Sequence, residues 1–264
     1  MPRWRTLGLR LVVVLFLIVV GVCGSMWAYV GYEAHRTRSM LAQVSVVRLG
    51  DTEASVLPLV QRYGGYKWKQ KPLLPKENWL DKEEYEYQQK RQSDYQYELQ
   101  ISPFATIFRR TGRFTEALRA VRAAFPARLQ PVLGMRDWGT VAELSVRNNR
   151  VQCVSIMTLV MGRSGWVGHR WELAEGMPEH DVPQKTFAIS SAFLTLTGAS
   201  DMMMENYFTP ESSEEEAKAA RQFDTRCLTS ITGCKGLCGL APIAIEYLRQ
   251  HPAAAWGIIP PNCP

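Results

Sequence analysis

Thr140-Val-Ala-Glu-Leu-Ser-Val146, Asn148-Asn149 and Val151-Gln-Cys-Val-Ser-Ile-Met-Thr-Leu-Val160 form the stretch that decides the fold. Residues 140–146 have the two-residue period of a strand. The Asn pair tolerates the left-handed backbone that a tight hairpin turn needs. The chain then returns as a long apolar strand, so the spacing predicts an antiparallel hairpin.

Working outward, Gly162 to Gly165 turn the chain again. Trp166 to Leu173 and Lys185 to Thr197 read as a third and fourth strand. Upstream, Tyr95, Tyr97, Leu99 and Ile101 alternate toward Pro103, which stops a further strand. Between them, Phe114 to Leu129 is an amphipathic helix with Phe114, Ala117, Leu118, Val121 and Phe125 as its apolar stripe. Arg113, Arg119, Arg122 and Arg128 are its polar counterpart, either an anion-binding face or a solvated one.

Val56, Leu59, Val60 and Tyr63 recur at helical spacing behind a cap at Asp51 or Thr52, with Pro58 in or near the first turn. The string Leu49 to Gly64 resembles the helix-opening segment of small bacterial outer-membrane assembly lipoproteins. The likeness covers that string alone and implies no activity. Thr209-Pro210 opens a helix toward Phe223, with Glu214, Glu215 and Glu216 where the helix dipole favours acids. Gly239 to Gln250 is a closing helix. The expected fold class is α+β: an N-terminal transmembrane helix followed by an antiparallel β-meander of four or five strands, packed with about four helices.

Leu11 to Val30 carries no charged side chain. Twenty helical residues cover about 30 Å, the thickness of a hydrocarbon core. Trp4 on one side and Trp27, Tyr29 and Tyr32 on the other suit the two interfacial belts. A cleaved signal peptide would have a shorter apolar run and small residues before the cut. A lipoprotein site would not place Val22 before Cys23. Arg3, Arg5 and Arg10 precede the span, and Arg36 and Arg38 follow it, which favours a cytoplasmic N-terminus. The expected organisation is residues 1–10 in the cytoplasm, 11–30 in the bilayer, 31–48 as a juxtamembrane helix stopped by Gly50, and 49–264 as an extracytoplasmic body. Gly21, Ser25 and Ala28 put small side chains near one helix face, where weak self-association is conceivable although small residues are common in any span.

The chain has 264 residues, 6 cysteines and a net charge of +6. Acids are interspersed among the bases, which argues against nucleic acid and for a membrane surface as partner. Cys23 lies in the span, and Cys227, Cys234, Cys238 and Cys263 crowd the C-terminal end. Disulfides outside the cytoplasm fit this better than metal ligation. The preferred pairs are Cys227–Cys234 and Cys238–Cys263, leaving Cys153 as a buried thiol. The absence of an Asn-X-Ser/Thr sequon points to a bacterial envelope, and the expected site is the inner membrane.

No nucleophile elbow, phosphate-cradling glycine loop or His-Glu-x-x-His occurs. His169 lies on a strand near Glu172. Glu179, His180 and Asp181 would need further ligands to hold a metal. Met202 to Met204 read as core filling or a binding lip. Tyr66-Lys-Trp-Lys-Gln-Lys71 alternates aromatics with bases, as a lipid headgroup contact or a solvated strand edge. No catalytic residue, metal or cofactor is assigned. The expected function is a non-catalytic, membrane-anchored envelope protein whose body binds a protein or ligand near the bilayer. The alternative is a tethered hydrolase or thiol redox protein using the cysteine cluster.

Overall fold

The computed structural model describes residues 3–70, 92–104, 113–126, 132–161, 166–175, 187–194, 201–230, 236–252 and 255–257, with Pro75, Gln89, 129–130 and Cys234 between them. Its first element, α1 (Arg3–Val44), is one unbroken helix of 42 residues. At 1.5 Å per residue it is about 63 Å long, twice a hydrocarbon core. Residues 8–22 are all exposed, and α1 from Gly8 to Val44 is apolar and long enough to cross a membrane. From Met26 onward the character changes: Met26, Val30, Ala34, Thr37, Met40 and Val44 are buried. Their spacing of three and four is one face of a helix. No break in the helix marks residues 30 and 31, where the expected division falls. The segment expected to be juxtamembrane lies in the lower half of α1 and is a core element of the body, because that half presents an apolar stripe to the sheet.

After α1 the chain turns at Gly50, and Gly50 N and Val151 N donate to Val151 O and Asp51 O at 2.8 Å each. Helix α2 (Glu53–Arg62) follows from Thr52 and buries Val56, Leu59 and Val60. Thr52 makes no side-chain cap, and Pro58 falls in the second turn. The α2 end is tied to α1 by Tyr63, whose hydroxyl donates to Ser39 Oγ at 2.8 Å and accepts from Gln43 at 3.0 Å.

The strands are β1 (Tyr66–Lys69), β2 (Tyr95–Ile101), β3 (Trp138–Arg147), β4 (Arg150–Met161), β5 (Trp166–Ala174), β6 (Phe187–Leu194), β7 (Asp201–Phe208) and β8 (Ala255–Gly257). They form one 8-stranded sheet in the order β1-β2-β3-β4-β5-β7-β6-β8. The class is α+β. Strands β1 to β5 make the antiparallel meander. Beyond β5 the sheet is mixed: β7 inserts between β5 and β6, parallel to β5, and β8 runs parallel to β6. The β3–β4 turn is carried by Asn148 (φ 52) and Asn149 (φ 58), the two left-handed residues of a type I′ hairpin.

One face of the sheet presents Leu99, Trp138, Leu144, Ile156, Trp171, Met204 and Phe208 to the core. The lower half of α1, α2 and the C-terminal helices cover it. Those helices are α4 (Glu214–Arg221), α5 (Gly236–Leu240) and α6 (Pro242–Gln250), following α3 (Arg113–Ala123). The predicted closing helix is thus two pieces, because Pro242 has no amide to continue α5 and starts α6 instead.

Candidate functional site

Helix α4 starts later than Thr209, since Ser213 and Glu216 form a reciprocal capping box. The Ser213 amide donates to Glu216 Oε2 at 2.7 Å, and the Glu216 amide donates to Ser213 Oγ at 3.2 Å. The helix buries Ala219 and Ala220 against the sheet and so lies beside α1. A groove of about 520 Å³ runs between the two, lined in part by Arg38, Leu41, Glu214, Lys218, Arg221 and Phe223. Three cations face one carboxylate there. Its field therefore favours an anion.

Arg221 is the centre of this groove. Its guanidinium carbon lies 4.8 Å from the Phe208 ring centroid and 5.7 Å from that of Trp171. Stacking on aromatic faces holds the cation in place without a counter-charge. Its Nε is buried with no hydrogen-bond partner among the described residues. Burial lowers the Arg221 pKa from its ordinary value. An anionic ligand group in the groove would supply the missing counter-charge.

Beneath the groove, His169 is fully buried. The Asn206 amide nitrogen contacts His169 Nε2 at 2.8 Å and donates to Ala220 O at 2.9 Å. Phe223 stacks on the imidazole with centroids 6.1 Å apart. Burial pulls the His169 pKa down to about 4, so the ring is neutral near pH 7 and braces α4. The suggested neighbour Glu172 points to the other sheet face, where it pairs with Arg170 at 3.0 Å.

The structure distributes the remaining sequence candidates as follows. Cys227 and Cys234 are disulfide-bonded, with Cα atoms 4.7 Å apart. Cys238 is also disulfide-bonded, and Cys263 lies outside the described residues. Cys153 is buried and lies outside the disulfides. Trp27 docks on the body: its Nε1 donates to Val132 O at 3.2 Å. Tyr29 is half-buried and Tyr32 exposed, with the Arg36 guanidinium 5.9 Å from the Tyr32 ring. The Trp4 side chain and Glu179, His180 and Asp181 lie outside the described residues. Met203 and Met204 are buried in β7.

Lys67 of the aromatic–basic string sits 3.4 Å from the Tyr95 ring centroid and pairs with Glu53 at 3.1 Å. It is thereby held in the fold rather than offered to a headgroup. The Glu53 carboxylate also accepts from the Tyr95 and Tyr97 hydroxyls. Desolvation first, and that carboxylate second, push the Tyr95 pKa up to about 12. Arg122 of the α3 arginine set is likewise occupied, bonded to Asp137 at 2.5 Å and Gln130 at 2.9 Å.

Sequence reasoning did not find Arg38, Lys218 and Arg221 as a group. The spacing of Lys218 and Arg221 places them on one helical face, but nothing local brings that face to Arg38, 180 positions away. Among the described residues no cluster of three or more His, Cys, Asp or Glu is arranged to hold a metal ion.

Fold and groove together describe an α+β body fused to a helix able to cross a membrane, with a cationic cleft at the side of that helix. No family model, no curated protein and no solved structure matches the chain.

Proposed function

We propose that this protein is a single-pass, non-catalytic binding module of the bacterial inner membrane, with its N-terminus in the cytoplasm and its body outside. Its body receives a partner or ligand that presents an anionic group, a carboxylate or phosphate, to the α1–α4 groove. The observation that carries this reading is the position of Arg221. It is a half-buried cation on an aromatic floor, unmatched by any described carboxylate and open to a groove beside the membrane helix. The disulfide between Cys227 and Cys234 supports an oxidising compartment. Both cysteines are buried, which favours a structural bond over an exchanging one.

Two measurements test the reading. A C-terminal fusion to a reporter active only outside the cytoplasm should be active; activity of a cytoplasm-only reporter would reverse the orientation. A photo-crosslinking amino acid at Ala42, on the groove wall, should give a discrete adduct in intact cells. The adduct should vanish with Arg221→Met. No adduct, or one indifferent to Arg221→Met, would count against the groove as the binding site.

A further inference from the structure

The uncharged, exposed part of α1 is too short for the membrane it must cross. From Leu11, the first residue after Arg10, to Ser25, the last before the buried stripe, the helix rises about 22 Å. A hydrocarbon core is about 30 Å thick, and tilting the helix only lengthens the requirement. The deficit is about 8 Å, or the next five or six residues. Those residues are already packed against the body. Met26 and Val30 are buried, and Trp27 lies on Gly134 and bonds to Val132 O.

The part of the body at that level is apolar and exposed. Leu129 is 50% exposed and Val132 58%. They flank a compact double turn: Leu133 N donates to Leu129 O at 3.0 Å, and Met135 N to Gln130 O at 2.8 Å. Gln130 fixes this turn to the end of α3, donating to Phe125 O at 2.9 Å and to Arg122 O at 3.2 Å. Leu118 of α3 and Phe125 just past its end reach the core. Ala117 and Val121 of the predicted apolar stripe are exposed, as are Ala120 and Ala124. In an isolated soluble body such a surface would be a liability.

We propose that the C-terminal half of α3 and the turn residues Leu129, Gln130, Val132 and Leu133 form a second membrane contact, seated in the headgroup–acyl boundary beside the exit of α1. The occupant is the bilayer itself. Two features carry the choice: the surface is continuous with the span through Trp27, and the span needs that depth of hydrocarbon to be complete. Leu129 and Val132 enter the acyl boundary while the Arg122–Asp137 pair holds the turn from behind. The body is thus wedged into the membrane rather than carried above it. The inference rests on α1 spanning the bilayer.

Depth-resolved labelling tests it. A parent with Cys23→Ala and Cys153→Ala keeps the disulfides and removes the two cysteines outside them. Single Leu129→Cys, Val132→Cys, Val46→Cys and Leu15→Cys variants are labelled with an environment-sensitive fluorophore. They are reconstituted in phosphatidylcholine–phosphatidylglycerol vesicles carrying a nitroxide quencher near the headgroups or at mid-chain. All four sites are exposed, so the fold tolerates the label. Val46 lies past the far end of α1, about 25 Å down the helix axis from Trp27. The expected result is several-fold stronger shallow quenching at 129 and 132 than at 46, with mid-chain quenching at 15. Labels at 129 and 132 as solvent-exposed as at 46, with 15 still quenched, would overturn the wedge alone. An unquenched label at 15 would overturn the span and the wedge with it.

Discussion

The indole of Trp27 lies directly against Gly134: a Cβ added there would meet Trp27 Cγ at 2.9 Å. Gly134 also has φ +76, a left-handed backbone that costs a side-chain-bearing residue roughly 1–2 kcal/mol. Gly134→Ala should therefore destabilise the body by about 2–3 kcal/mol in urea unfolding, strain and overlap together. In a Trp27→Ala background the overlap term disappears, and the same substitution should cost only the backbone part. Equal costs in both backgrounds would deny the contact its role.

The buried imidazole of His169 makes stability fall with acid. Its folded pKa is about 4, against an ordinary value of 6.5. The unfolded chain thus binds the proton first as pH drops. Stability is at its full value above pH 6.5, declines between 6.5 and 4, and changes no further from this source below 4. At pH 5 the loss should be roughly 2 kcal/mol. Denaturation midpoints across pH 4–7 measure it, and His169→Gln should flatten the slope in that window. An unchanged slope would assign the acid sensitivity elsewhere.

Closing the short loop from Cys227 to Cys234 restricts the unfolded chain. Replacing both cysteines by serine should lower stability by roughly 2–3 kcal/mol by loop-closure entropy. The measurement is the unfolding midpoint of the double variant against the oxidised parent. A variant as stable as the parent would show the bond to be dispensable for the fold.

Arg221→Met should leave stability within about 1 kcal/mol, or raise it. A thioether fits the Phe208 and Trp171 faces without the desolvation that burdens the guanidinium. The same substitution should weaken binding of inorganic phosphate in the groove, read by the intrinsic fluorescence of Trp171. A loss of several kcal/mol in stability would instead make Arg221 a structural residue.

Glu53 accepts hydrogen bonds from the Tyr95 and Tyr97 hydroxyls and pairs with Lys67. Those tyrosine bonds, above all, lower its pKa. Glu53→Gln should cost about 1 kcal/mol near pH 7, the order of one charge-assisted hydrogen bond at a partly exposed site. Its contribution is present above the usual carboxylate range and is lost as pH falls through the lowered folded value. The difference between parent and variant midpoints should therefore shrink in acid.

Strands were readable where β-branched and apolar runs meet a strong turn signal, even where both faces are buried. The β3–β4 hairpin lies where alternation and Asn148-Asn149 placed it. Strand β7 was not recognised because Asp201-Met-Met-Met-Glu-Asn-Tyr-Phe208 does not alternate. The polar Asn206 stands on the core face between Met204 and Phe208, and the apolar Met203 stands on the opposite face with the half-exposed Glu205, so the sequence period is lost. The parallel β5–β7 pairing is equally silent, since strand order is a non-local choice. For α1, the long apolar run masked a second pattern starting at Met26, where the buried stripe overlaps the end of the span. The groove depends on two helices that meet only through the sheet both cover. Its charges were visible and its geometry was not.

On the proposed reading α1 passes without a break from lipid into the body's core, so the membrane and the sheet share one axle. Each helical residue turns about 100°. One residue inserted after Ser25 would swing the whole body around the membrane normal by that angle and lift it by about 1.5 Å. The groove, the hairpin and the apolar turn therefore have a fixed compass bearing relative to whatever packs against the span within the bilayer. A neighbour holding one face of that span would set the direction in which the groove opens.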